Sequence, residues 1–287
     1  MKSFQYKLLI LLLFLGCTTK SPLSNRYVSK KKNTQHLVEL GKSHWERRVD
    51  LNDAKLSNHF LSKAIELDPK NSEIMALFSR SCYFIGRFIN NNSESSDSLF
   101  MQGYKESWSH IIASEVFQNG FESVSGDSVA KIIAGLENLS EELLPVAYWW
   151  AENYTSYLLT KPVLQRIESR EIIETVIHHI LSVNPEYNYH GANRIFGTFY
   201  AKLPGVNLDQ SKNNFDKSIS IEPNFMTSYT LRAQYFSTKA GDEDLFIKDL
   251  QLVLNADPTK LPEASPENLF EQEKAKYLLS RKESLFE

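Results

Sequence analysis

Ser218-Ile219-Ser220-Ile221-Glu222-Pro223 spells out the end of a helix. Proline pushes the residue before it out of the α region, so a helix arriving through Ile221 stops there. The same ending recurs as Ala64-Ile65-Glu66-Leu67-Asp68-Pro69, Ile180-Leu181-Ser182-Val183-Asn184-Pro185 and Val253-Leu254-Asn255-Ala256-Asp257-Pro258. Pro185, Pro223 and Pro258 are spaced 38 and 35 residues apart, close to the 34-residue period of tetratricopeptide helix pairs. Upstream of these endings, apolar residues recur at three and four. Leu56, Phe60, Ala64 and Leu67 form one stripe, Ile172, Val176, Ile180 and Val183 another, and Leu245, Leu250, Val253 and Leu254 a third. No run of strict alternation bounded by turn dipeptides stands out. The spacing predicts an all-α domain over 34–287, a degenerate tetratricopeptide-like solenoid of helical hairpins, each helix about 12 to 18 residues long.

The first helix of each pair should carry a small residue where its partner approaches. Phe196-Gly197-x-x-Tyr200 and Arg232-Ala233-x-x-Phe236 hold equivalent places, and Leu40-Gly41 precedes the first pair with Trp45 one turn on. A helical glycine costs about 1 kcal/mol relative to alanine, so it needs a packing reason. Gly241-Asp242 reads as a helix stop followed by an N-cap, with Glu243 and Asp244 in the favourable first turn. Residues 72–170 are helical by pattern but lack the proline punctuation, as plain antiparallel helices or degenerate repeats would.

Composition agrees. Among 287 residues, 42% are hydrophobic and 23% charged, which excludes a disordered or collagen-like chain. Eleven glycines and ten prolines are too few for the many turns of a sandwich or barrel. The net charge of −3 provides no positive field for nucleic acid.

The chain starts with an export signal in layout: Lys2 and Lys7, then the apolar run Leu8–Leu15. That run is far short of the about 20 residues a membrane-spanning helix needs. Leu13-Phe14-Leu15-Gly16-Cys17 resembles a bacterial lipobox, with Phe14 and Leu15 departing from its usual residues. The resemblance implies a signal peptide at 1–16 and a lipidated Cys17 that anchors the protein to a membrane. Cleavage before Cys17 leaves 30 bases against 35 acids, a net of −5. Residues 17–33 then form the lipidated cysteine and a flexible polar tether carrying Pro22 and Lys30-Lys31-Lys32. With Cys17 acylated, Cys82 has no partner for a disulfide, and its apolar surroundings mark it as a core residue.

No enzyme constellation appears: no phosphate loop, no nucleophile elbow, no His-Glu-x-x-His. His178 and His179 are adjacent, so on a helix they diverge and cannot readily share a metal. Glu141 and Glu142 are adjacent and solvated rather than a catalytic pair. The chain is therefore expected to be a binding protein without cofactor or metal, not an enzyme. Its strongest local signal is the mixing of rings and polar groups. Trp149, Trp150 and Asn153 lie in Tyr148–Tyr154, and Tyr187, Tyr189, His190, Asn193 and Arg194 precede or open the helix that carries Tyr200. Rings with a few fixed polar groups suit a small, partly apolar ligand. Filling of the solenoid core is the competing reading for each ring, and for Arg194 a salt bridge competes equally with a ligand carboxylate.

The order of these features resembles the T component, TatT, associated with TRAP transporters. Residues 34–280 carry the resemblance, chiefly through Met101-Gln102-Gly103-Tyr104, Tyr148–Tyr154, His190-Gly191-Ala192-Asn193-Arg194-Ile195-Phe196-Gly197-Thr198-Phe199-Tyr200-Ala201-Lys202-Leu203-Pro204 and Phe215-Asp216-Lys217-Ser218-Ile219. Trp150 and Ser218 replace the smaller residues frequent in the family, and the first would narrow a nearby cavity. The resemblance implies a periplasm-facing lipoprotein held in the inner or outer membrane. It further implies association with the substrate-binding P component of a tripartite importer, a passage for hydrophobic or organic-acid ligands, and the trimers known in the family. Trp149, Trp150, Asn153, Tyr189, His190, Arg194 and Tyr200 are the candidate ligand or partner contacts. A generic envelope scaffold that grips peptides and has no small ligand is the alternative.

Overall fold

The computed structural model describes residues 22–88 and 93–287, and every regular element among them is helical. The signal segment 1–16, Cys17 and residues 18–21 lie outside the described residues. In chain order the helices are α1 (Pro22–Glu46), α2 (Leu51–Leu67), α3 (Ser72–Phe88), α4 (Ser93–Ile112), α5 (Glu115–Ser123), α6 (Ser128–Glu137), α7 (Leu144–Leu158), α8 (Val163–Glu168) and α9 (Arg170–Val183). Then follow α10 (Tyr187–Lys202), α11 (Leu208–Ile221), α12 (Thr227–Leu231), a π-helical turn (Arg232–Ser237), α13 (Thr238–Ala240), α14 (Glu243–Asn255), α15 (Ser265–Ser280) and α16 (Lys282–Phe286). The fold is all-α and tetratricopeptide-like.

The proline endings stop helices as predicted. The residues that cap α2, α9 and α11 are Asp68, Asn184 and Glu222, with φ of −137°, −147° and −128° and ψ of 72°, 83° and 81°. These three pre-proline residues share one conformation outside the α region. α14 ends at Asn255, two residues ahead of the pre-proline position. Gly241 takes the left-handed conformation, and the Asp242 carboxylate accepts from Leu245 N–H.

Short connections fold α1 onto α2, α3 onto α4 and α10 onto α11 as hairpins, and α7 packs on α3 and α4. The seams of α1 with α2 and of α10 with α11 share one chemistry. A Cβ on Gly197 would lie 2.8 Å from the Phe215 ring, and one on Gly41 2.8 Å from Leu61. Ser211 donates to the Gly197 carbonyl at 2.7 Å and Ser57 to the Gly41 carbonyl at 2.8 Å. Gly41 thus lies inside the first helix of the first hairpin, not ahead of the pair.

Two expectations are corrected. Residues 22–33, expected as a flexible tether, belong to α1, with Lys30-Lys31-Lys32 exposed on it. Pro22 suits a first helical turn, where its missing N–H is not needed, and no glycine or proline follows until Gly41. A polar composition describes a solvated helix as well as a spacer. The buried stripe of α2 is Ala54, Ser57, Leu61 and Ala64, while Leu56 is 42% exposed. In α9 it is Ile173, Val176, Ile177 and Ile180, and in α14 Phe246, Asp249, Leu250 and Val253. Each expected stripe ran along the correct helix but was rotated off the true contact face, because neighbours on both sides bury small and polar residues too.

Candidate functional site

The two ends of the solenoid meet. α15 lies against α3 and the turn that follows α1, and its Glu267 and Glu271, four residues apart, share one helix face. Arg48 donates from Nε and Nη2 to the Glu267 carboxylate at 3.1 and 2.7 Å, and from Nη2 to the Glu263 carbonyl at 2.7 Å. Arg80 reaches Glu267 at 3.3 Å. Arg87 donates to Glu271 at 3.0 and 2.7 Å, and Thr230 donates to the other Glu271 oxygen at 2.5 Å. Phe270 stacks on Phe88 and meets the edge of Phe84. Arg80 is held between the rings of Trp45 and Trp149, 4.8 and 5.5 Å from their centroids.

This closure encloses a narrow cavity of about 20 Å³, with walls that include Trp45, Arg80, Tyr83, Trp149, Asn188 and Phe225. Outside it lies a cleft of two adjoining depressions of about 650 and 680 Å³, both bordered by Leu77, Arg80, Trp149 and Tyr187. Trp45, Arg80, Trp149 and Asn188 belong to the cavity and to the second depression, so one layer of side chains separates the two spaces.

The floor between them is a backbone turn. Asn188, Tyr189 and His190 have φ of 48°, 58° and 58°, three consecutive left-handed residues without a glycine. Left-handed conformation costs an L-residue roughly 1–2 kcal/mol each, so the surroundings must hold it. Arg194 does so. Its Nη2 donates to the Asn188 carbonyl at 2.6 Å and its Nη1 to the Tyr189 carbonyl. Phe225 stacks on Tyr189 at 4.6 Å and lies 4.4 Å from the Arg194 guanidinium. Tyr148 joins from α7: its hydroxyl accepts from Asn188 Nδ2 at 2.8 Å and donates to Glu152. Burial pushes the Glu152 carboxyl above its ordinary range, although Arg194, the Tyr148 hydroxyl and Arg87 oppose the shift.

The sequence-predicted residues divide. Trp149 lines cavity and cleft, Tyr189 borders the cleft, and Arg194 lines the cavity. His190 is half-buried beside them, and desolvation lowers its pKa. Arg194 is 1% exposed and takes part in no ion pair among the described residues; of the two readings open for it, the salt bridge gives way to carbonyl acceptors. Trp150 packs against Trp108 and Tyr154 at 5.2 and 5.3 Å, on the core side of α7. Asn153 is fully buried and donates to the Ser79 and Trp149 carbonyls, tying α7 to α3. Tyr200 stacks on Phe196 at 5.0 Å. None of these last three borders the cavity or the cleft.

Sequence reasoning missed Trp45, Arg80, Arg87, Glu152, Phe225 and Thr227. Arg80 and Arg87, seven residues apart in the apolar run Met75–Phe88, were the signal available: two charges on one face of a buried helix need partners. Cys82 is the expected core thiol, fully buried, with its pKa pushed up to about 12 by desolvation. No cluster of three metal-ligating side chains occurs among the described residues.

The sequence profile of the TRAP transporter T-component family matches residues 89–286. No match appears among curated proteins. The matched span holds α7, α10, α12 and α15, which supply Trp149, Arg194, Thr227 and Glu267 to the cavity, while α1 and α3 supply the opposite wall. The chain belongs to the TRAP transporter T-component family.

Proposed function

We propose that this T component is a lipid-anchored envelope protein that docks the P component, the substrate-binding protein of its transporter, and handles a small, partly hydrophobic ligand. The observation that carries this reading is a cleft of about 680 Å³ bordered by Trp45, Trp149, Tyr187 and Tyr189, in a chain that belongs to the TRAP transporter T-component family. Trp149 and Tyr189 line the ligand path, Arg194 shapes it, and Cys17 holds the protein to the membrane facing the periplasm. The described residues include no helix long and apolar enough to cross a membrane, which agrees with a lipid anchor as the attachment.

The test is a pull-down from solubilised membranes with the wild type and Cys17→Ala. Wild type is expected in the membrane fraction with a substrate-binding protein attached, and Cys17→Ala in the soluble fraction. Recovery of no substrate-binding protein overturns the docking reading, and lipid labelling of Cys17→Ala overturns the anchor.

A further inference from the structure

α1 is longer than the body it packs on. It has 25 residues, and its hairpin partner α2 has 17. The two run antiparallel, with Ser57 and Leu61 on Gly41. α2 ends at Leu67, six residues past Leu61, so it runs out opposite the part of α1 about six residues before Gly41. Thr34 is the first buried residue of α1, and residues 28–33 are exposed. Residues 22–33 therefore overhang the hairpin by three turns, about 18 Å of helix.

Charge is divided at the same place. Residues 18–38 hold five of the 30 bases of the mature chain, Lys20, Arg26, Lys30, Lys31 and Lys32, and none of its 35 acids; the first acid is Glu39. The rest of the mature chain has 25 bases against 35 acids. Lys30, Lys31 and Lys32 form no ion pair among the described residues. α1 has no acid in its first turn, so the positive end of the helix dipole meets no carboxylate from that turn. Three turns of like charge with nothing packed on them make a poor helix in water. A negatively charged surface supplies what the overhang lacks.

The anchor sets where that surface lies. Cys17 stands five residues before Pro22, a span of at most about 18 Å when fully extended. Lys30 lies about 12 Å further along the helix. Salt screens exposed charges beyond about 8–10 Å, so the lysines feel a membrane only where the overhang lies along it.

We propose that the overhang of α1 is a second membrane contact, lying along an anionic phospholipid surface with Lys30, Lys31 and Lys32 at the head-group phosphates. The contact rests on the lipid anchor proposed above and adds to it a surface and an orientation. The acyl chains hold the protein, and the basic helix sets how the body, and with it the cleft, faces the bilayer. A lysine ammonium is a compact point charge that suits any phosphate, so the membrane is selected by its charge and not by one lipid.

The experiment uses acylated wild type in vesicles of phosphatidylcholine alone and of phosphatidylcholine mixed with phosphatidylglycerol. Amide hydrogen exchange is followed in α1, with the α10–α11 seam as internal reference. Amides of residues 23–33 are expected to exchange about tenfold more slowly on the anionic vesicles, with the seam unchanged and the difference lost in high salt. The triple variant Lys30→Gln, Lys31→Gln, Lys32→Gln changes exposed side chains only. It should melt as wild type does and exchange alike on both kinds of vesicle. Equal exchange by wild type on the two kinds overturns the head-group contact and leaves the anchor standing. Slowing that survives high salt or the triple substitution overturns it as well. A protein that does not float with the neutral vesicles overturns the anchor instead, and flotation with the anionic ones then reads the contact by itself.

Discussion

Glu152 shows how much one buried carboxyl can weigh. It is 7% exposed and accepts a hydrogen bond from the Tyr148 hydroxyl. Its folded pKa is raised chiefly by desolvation. The folded state therefore binds the proton more tightly than the unfolded chain, and stability attributable to this group falls as pH rises from the ordinary glutamate range through the folded value. Glu152→Gln keeps the shape and removes the titration. It is expected to melt above wild type at pH 8, with the difference vanishing below about pH 4, where the wild-type carboxyl is protonated in the folded and the unfolded chain. Thermal melts across pH check this; a variant that melts below wild type at pH 8 would mean that the charge is needed as a counter-ion to Arg194. Asp249 is likewise raised by burial, but it receives two hydrogen bonds from Arg232 at 2.8 and 2.6 Å and is locked in a pair.

Among the elements, the hairpin seams carry the repeat. At α10 and α11, Phe215 rests on Gly197 and Ser211 satisfies the carbonyl that the missing side chain leaves open. The same triplet at α1 and α2 is Gly41, Ser57 and Leu61. Gly197→Leu forces the helices apart. Overpacking of this kind costs about 1–3 kcal/mol and occasionally more, so a melting temperature lowered by several degrees is expected from calorimetry. An unchanged melting temperature would remove this seam as a determinant of the register. The π-helical turn at Arg232–Ser237 is the element that pattern reading did not foresee. Arg232-Ala233-x-x-Phe236 kept its place as a repeat position, with Ala233 fully buried, but i-to-i+5 bonding leaves no mark on hydrophobic spacing.

For the whole molecule, closure of the solenoid depends on Glu267. It joins Arg48 in the turn after α1 and Arg80 on α3 to α15, across more than 180 residues of chain. Glu267→Gln strands two arginines in a buried setting. Removing one member of such a pair costs about 3–5 kcal/mol. The variant is expected to lower the denaturation midpoint and to make the junction of α15 with α3 and the turn after α1 exchange amide hydrogens faster than the α10–α11 seam. Uniform exchange across both would show that the ion pairs do not govern closure. The cavity exists because of this closure, so the same variant should also open it.

Helix class, the four proline stops, the glycine seam at 197, the Gly241-Asp242 junction and the core thiol at Cys82 were all legible in the chain. Each is a local matter, set by backbone sterics or by burial of a short apolar run, and the family motifs around residues 148 and 190–204 were legible in the same way. The cavity was not. Its walls come from residues near 45, 80, 149, 188, 225 and 267, and no periodicity links positions so far apart. Whether Trp149 or Trp150 faces the opening depends on a rotation of about 100° around α7, which the packing of α3 and α4 decides. Arg194 could have met a carboxylate or a carbonyl; the left-handed turn at Asn188–His190 settled it on carbonyls, and only the folded chain brings that turn beneath Tyr148 and Phe225.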